Sequence, residues 1–211
     1  MYNYISNYKG RTDLVDLYGD NSLLLYALQL RYDIEDIISV ASEALTDGSD
    51  DKKCDLIYID RDSGFAVVAQ AYMKKNPTET DLAKVNKASD LNTAASWVLG
   101  RNEADIPELL KSAVMSLRNA IEKDEITPLY FWYQHNCDEI QDIQNEMNTV
   151  TTTANALLKQ HFPGKQINII GTEVGNQTLE KWYINTTNRI LVSDDIEIPL
   201  PYGGFEIKEK N

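Results

Sequence analysis

DGSDDKKCDLIYIDRDSGFAVVAQAYMK, residues 47 to 74, is the stretch whose reading decides the fold. It opens on a carboxylate cluster, Asp47, Asp50, Asp51 and Asp55. Two β-branched and aromatic runs follow, Leu56 to Ile59 and Phe65 to Ala69, on either side of the polar turn Arg61-Asp62-Ser63-Gly64. Short β-prone runs around a polar loop that contains glycine predict a β-hairpin. A loop at 61–64 pairs Asp60 with Phe65, and counting outward sets Asp55 opposite Gln70. Directly opposed residues share a face, with Cβ atoms roughly 5 Å apart. The hairpin therefore predicts a carboxylate beside a carboxamide at its open end, and a one-residue slip would part them.

Upstream, residues 1–20 are polar with scattered tyrosines and predict an arm or a short helix. Asn21 or Ser22 can cap a helix running to about Leu45. Its buried stripe is Leu23, Ala27, Leu30, Ile34, Ile37, Ala41 and Ala44. Glu43 lies off that stripe, four residues before Asp47, either as a solvated helix residue or within reach of the carboxylates.

Downstream, Pro77 ends the second strand and Ser89 caps a helix through Leu91 and Leu99, closed by Gly100. Another helix starts near Ile106, with Pro107 suited to its first turn. Pro128 to Tyr133 is short and aromatic and predicts a buried strand. A long amphipathic helix covers Asp138 to His161, and Gln166 to Val174 is the next strand. A strand, helix and strand in series imply a parallel pair with a right-handed crossover. A helix at 176–184 and a strand at 189–198 follow. The expected class is α/β (α+β): a mixed sheet with an antiparallel hairpin and parallel strands, flanked by helices. The domain plan is an arm at 1–20, one α/β domain at 21–200, and a connector at 201–211 toward a missing C-terminal region.

The totals narrow the function. No stretch approaches the roughly 20 apolar residues of a membrane span, and none reads as a signal peptide. Cys54 and Cys137 form no CxxC pattern, which argues against a disulfide framework and a zinc site and makes the cytoplasm the expected location. The net charge is −13. Phosphate binding depends on Lys and Arg, so a chain this acidic has little general grip on nucleic acid. Only residues 71–121 are balanced, with seven basic side chains (Lys74, Lys75, Lys84, Lys87, Arg101, Lys111, Arg118) against six acidic ones. That segment is either a solvated helical surface or the place where a phosphate would be met.

The pattern D-G-x-x-D-x-x-x-D, a strand, a turn and a second strand ending in Gln resembles the restriction-endonuclease-like PD-(D/E)XK superfamily. The wider run from Asp47 to Leu99, with AQAYMKK and NKASDLNTAASWVLG, resembles the N-terminal domain of the AIPR family of abortive-infection phage-resistance proteins. The resemblance is closest over residues 20–100, and proteins of that family are much longer than this chain. It implies a restriction-endonuclease-like core, and metal-dependent phosphodiester hydrolysis with Mg²⁺ or Mn²⁺. Nucleic acid, DNA or RNA, would be the partner of the full-length protein. No membrane is involved, and a homodimer is admitted.

The resemblance assigns Asp55 to the metal, Gln70 a side-chain carbonyl beside it, and Asp50 or Glu43 to the rest of the shell. Two departures stand out. Tyr72 occupies the place of the superfamily lysine, and Lys52-Lys53 stand where Gly-Gly is usual. Lys74 is the nearest substitute, since positions 70, 72 and 74 share a face if the strand continues that far. Lys87 is second choice. Two readings follow: a metal-dependent nuclease domain, or a degenerate nuclease-like module for recognition or assembly. His135 and Cys137, two apart at a strand end, read as structural because no orienting carboxylate is evident in the sequence.

Overall fold

Val67 and Val68 have no accessible surface although they point to opposite faces of their strand, so this strand needs cover on both sides. The computed structural model, which describes residues 2–46, 48, 50–78 and 80–187, shows how that cover is supplied. Strands β1 (Leu56–Asp60), β2 (Phe65–Tyr72), β3 (Leu129–His135) and β4 (Ile169–Val174) form one sheet in the order β1-β2-β3-β4. β1 and β2 are antiparallel, while β2, β3 and β4 run parallel. The chain is thus α/β with a mixed sheet, as the hairpin and the strand–helix–strand series predict. The hairpin register is also the expected one, Asp60 facing Phe65 and Leu56 facing Ala69. Asp60 accepts the Ser63 N–H and Gly64 takes a positive φ, which together close the turn.

One face of the sheet is covered by α5 (Val85–Ala95), α6 (Glu108–Glu122) and α7 (Gln141–His161). Val68, Leu129 and Phe131 pack there against Leu91, Val114, Met147 and Val150. The other face is covered by α1 (Tyr4–Gly10), α2 (Thr12–Tyr18), α3 (Ser22–Tyr32), α4 (Ile37–Ala44) and α8 (Asn176–Thr187). Val67, Ala69 and Trp132 pack there against Leu24, Leu28, Ala41 and Leu179. Full burial of such side chains contributes about 1.5–3 kcal/mol each, so both layers are needed.

Two expectations need correction. The helix expected from residue 21 to 45 is two helices. Asp33 takes a left-handed conformation (φ 55°), and Asp36 then caps α4 by accepting the Ser39 N–H at 3.0 Å. A short polar side chain tolerates that backbone and supplies the new cap, so local capping overrides a continuous apolar stripe. Within residues 1–20, expected as an arm or a short helix, 4–10 and 12–18 are two helices packed on α8 and α3, with Tyr4 and Leu14 buried. The strand expected at 189–198 and the connector at 201–211 lie outside the described residues.

Helix α7 approaches β4 closely at Gly171. A Cβ there would meet the Met147 carbonyl oxygen at 2.4 Å and Thr151 Oγ1 at 2.6 Å. Thr151 Oγ1 accepts the Gly171 N–H and donates to Met147, tying the two elements together. Gly171→Ala is therefore expected to lower stability by about 1–3 kcal/mol through overpacking. Urea unfolding checks this, and a midpoint equal to the parent's would refute so tight a contact.

Candidate functional site

The open end of the hairpin is where the ladder stops. Asp55 lies one residue before β1. Its N–H donates to the Ala69 carbonyl at 2.8 Å, and its Oδ2 accepts the Ala71 N–H at 2.7 Å. The carboxylate thus reaches past Gln70 and takes up a backbone donor where strand pairing ends. Asp55 is 9 % exposed and Gln70 4 %. Thr46 completes the closure, donating its N–H to the Asp55 carbonyl and its hydroxyl to the Cys54 carbonyl. Burial pushes the Cys54 thiol up to about 12, so this cysteine stays a protonated core residue.

Gln70 points to the face covered by α5, α6 and α7, as do its neighbours along the register, Tyr133 and Glu173. Among the described residues, Gln70 Oε1 is buried with no hydrogen-bond partner. The Tyr133 hydroxyl donates to the Lys84 carbonyl at 3.1 Å. One step further along the strands, His135 Nε2 lies 3.1 Å from Glu173 Oε1, and the same oxygen accepts the Ile140 N–H. His135 is fully buried and Glu173 is 4 % exposed. The carboxyl half of the sheet therefore carries a polar row, Gln70, Tyr133, Glu173 and His135, beneath the helical layer.

The remaining predicted residues do not gather around Asp55. Glu43 is exposed on α4, and Asp50 is exposed and paired with Lys52. Strand β2 ends at Tyr72, so the alternation that would carry Lys74 to the Gln70 face does not continue. Lys74 instead bonds Asp81 Oδ1 at 2.5 Å through its ammonium and exchanges two main-chain bonds with the Asn136 side chain. Lys87 pairs with Asp90 at 3.6 Å.

Other cations of the balanced segment are partnered as well. Arg118 donates to the Val98 and Trp97 carbonyls, while Lys84 lies over the Tyr72 ring and Arg101 over the Trp97 ring. The favourable charge that would recognise a phosphate is thus largely satisfied within the fold.

Sequence reasoning missed Glu173, the carboxylate that orients His135. The two are far apart along the chain, and only the parallel β3–β4 pairing unites them. The one available signal was a lone charged residue inside the predicted strand, since buried charge demands a partner.

A divalent ion needs several oxygen ligands. Among the described residues, no group of three or more His, Cys, Asp or Glu side chains is placed to hold a metal ion. The Asp55 carboxylate is already engaged by a backbone N–H, so the described donors do not assemble the Mg²⁺ shell that the resemblance implies. Among the same residues, no helix is long and apolar enough to cross a membrane. Comparison with protein families, with curated proteins and with solved structures returns no match to this chain.

Two outcomes follow from this geometry. Glu173→Ala strands a buried histidine and the Ile140 N–H, which is expected to cost about 3 kcal/mol in urea unfolding. A loss below a quarter of that would mean the pair is not buried as described.

The second outcome concerns acid. The Lys74 hydrogen bond, followed by the Thr78 N–H, lowers Asp81 from 3.8 to about 2. Folding thus favours the ionised form: its stabilisation is complete above 3.8 and is lost as pH falls toward about 2. Asp81→Asn should flatten the fall of the thermal midpoint across that window, and an unchanged acid limb would refute the linkage.

Proposed function

We propose that this chain is a nuclease-like α/β module that has lost catalysis and serves recognition or assembly in a phage-defence protein of the abortive-infection type. The observation that carries this reading is the state of the lysine position. Tyr72 fills it, and the nearest substitute, Lys74, lies beyond the strand and is held by Asp81 and Asn136. Phosphoryl chemistry needs positive charge where charge develops in the transition state. Here no ammonium among the described residues is directed at the Asp55–Gln70 end of the hairpin by any bond that holds it there. Asp55 itself serves as a cap for the Ala71 N–H.

A second reading, metal-dependent hydrolysis of nucleic acid, draws support from Gln70. Its Oε1 is buried and unpartnered, one residue before the Ala71 N–H that the Asp55 carboxylate accepts, which supports the pairing the nuclease resemblance requires.

Plasmid and RNA cleavage with Mn²⁺ separates the two, using the parent, Asp55→Ala, Lys74→Ala and Tyr72→Lys. The recognition reading expects no cleavage by the parent and none gained by Tyr72→Lys. Cleavage by the parent that drops about a hundredfold or more in Asp55→Ala would overturn it in favour of the nuclease. Cleavage indifferent to Asp55→Ala would defeat both and move catalysis away from the hairpin.

A further inference from the structure

A cleft of about 980 Å³ opens outside the carboxyl ends of β2, β3 and β4, the end of the sheet at which Asp55 also bonds the Ala71 N–H. Each parallel strand contributes to it just after it ends: Met73 and Lys74 follow β2, Asn136 follows β3, and Asn176 follows β4. In open α/β sheets this is the crevice where ligands bind. Its volume lies within the range of small-molecule sites. The facing wall is α1 together with Tyr2, two residues before it, and includes Tyr2, Tyr4, Tyr8 and Lys9.

The polar groups in the cleft are held in place by one another. Tyr4 donates its hydroxyl to Asn176 Oδ1 at 2.6 Å, and Asn176 Nδ2 donates to Asp138 Oδ1 at 2.8 Å. Tyr2 donates to the same Asp138 oxygen at 2.9 Å, which raises the Tyr2 phenol to about 12, chiefly by desolvation and then by this bond. The Tyr8 hydroxyl meets Ser22 Oγ at 2.6 Å. The rings are therefore fixed in orientation. Each carboxamide keeps a second N–H, since Asn176 and Asn136 each use one in the bonds described. Asp138 keeps a second oxygen as an acceptor. Half-buried tyrosine faces beside amide donors and a carboxylate acceptor match a planar heterocycle with donors and acceptors along its edge. Lys9, exposed at the rim and without an ion-pair partner among the described residues, matches an anionic group on the same ligand.

We propose that this cleft binds a mononucleotide, with the base against Tyr2 and Tyr8 and the phosphate at Lys9. Lys74, the substitute lysine of the nuclease reading, lines the cleft, whereas Asp55, Gln70 and Tyr72 do not, so the two sites have that one residue in common.

The test is calorimetry and thermal shift on the full chain with the four ribonucleoside monophosphates, the corresponding nucleosides, and inorganic phosphate alone. At least one monophosphate is expected to bind and to raise the midpoint with concentration. Lys9→Glu should weaken that monophosphate by about tenfold or more and leave its nucleoside unaffected. Tyr2→Leu should weaken both. Tyr2→Phe, which keeps the ring, serves where the leucine variant loses stability, and should bind within about threefold of the parent if stacking is what matters. No binding by any monophosphate up to about a millimolar overturns the proposal. So does binding that Lys9→Glu and Tyr2→Leu leave unchanged, and so does binding of inorganic phosphate as tight as that of the nucleotide. These outcomes are read at Lys9 and Tyr2, neither of which is varied in the cleavage assay, so failure here and failure there are distinguishable.

Discussion

Parallel pairing of β2 with β3 is the constraint on which the rest of this structure depends. A parallel pair cannot be closed by a tight turn, so the chain must leave the sheet at Tyr72 and return at Leu129. That excursion supplies α5 and α6, and the next one, from β3 to β4, supplies α7. All three lie over one face. The opposite face would then expose Val67, Ala69 and Trp132, and the N-terminal helices with α8 cover it instead. Both strand faces are apolar because both are covered, which is why β2 and β3 read as continuous hydrophobic runs and not as alternating ones.

The same pairing decides where chemistry can reside. Parallel strands end together, so the residues that follow β2, β3 and β4 meet at one edge. There the buried polar row and the open cleft lie at successive levels. Gln70, Tyr133, Glu173 and His135 belong to the strands and lie under the helices. Lys74, Asn136 and Asn176 follow the strand ends and line the cleft. The His135–Glu173 pair sits at the junction, and Gly175 is kept small by it: a Cβ there would lie 2.6 Å from His135 Cε1. The Glu139 carboxylate accepts the Gly175, Gln177 and Thr178 N–H groups and the Cys137 carbonyl accepts that of Asn176, which fixes the turn from β4 into α8 and with it the position of Asn176.

What was legible in the sequence follows from the range of the interactions involved. The hairpin register came from a loop length and a period of two, both local, and it holds through Leu56 and Ala69. The parallel strands and the long helix came from apolar runs and spacing. The break at Asp33 was not legible because Leu30, Ile34 and Ile37 continue the helical stripe through it, while the cap on Asp36 was a competing local signal. At Asp55 the ladder reaches its end. The main chain still bonds the Ala69 carbonyl, while the side chain turns to the Ala71 N–H, a partner that alternation alone does not predict. Glu173 and Asp81 act through partners that no spacing rule relates to them.

Charge closes the argument about what this protein can bind. A net charge of −13 repels any extended polyanion, and the cations of residues 71–121 are mostly spent on Asp81, Asp90, backbone carbonyls and aromatic rings. Counterion release, the main source of nucleic-acid affinity, is correspondingly small. Repulsion between exposed charges is screened beyond about 8–10 Å in physiological salt. A polyanion laid across the surface meets an excess of negative charge, which weakens its grip. A single phosphate beside one unpaired ammonium meets only its immediate surroundings. The proposed cleft, with its tyrosine rings, carboxamides and Lys9 at the rim, is therefore better suited to a monomer than the surface is to a polymer.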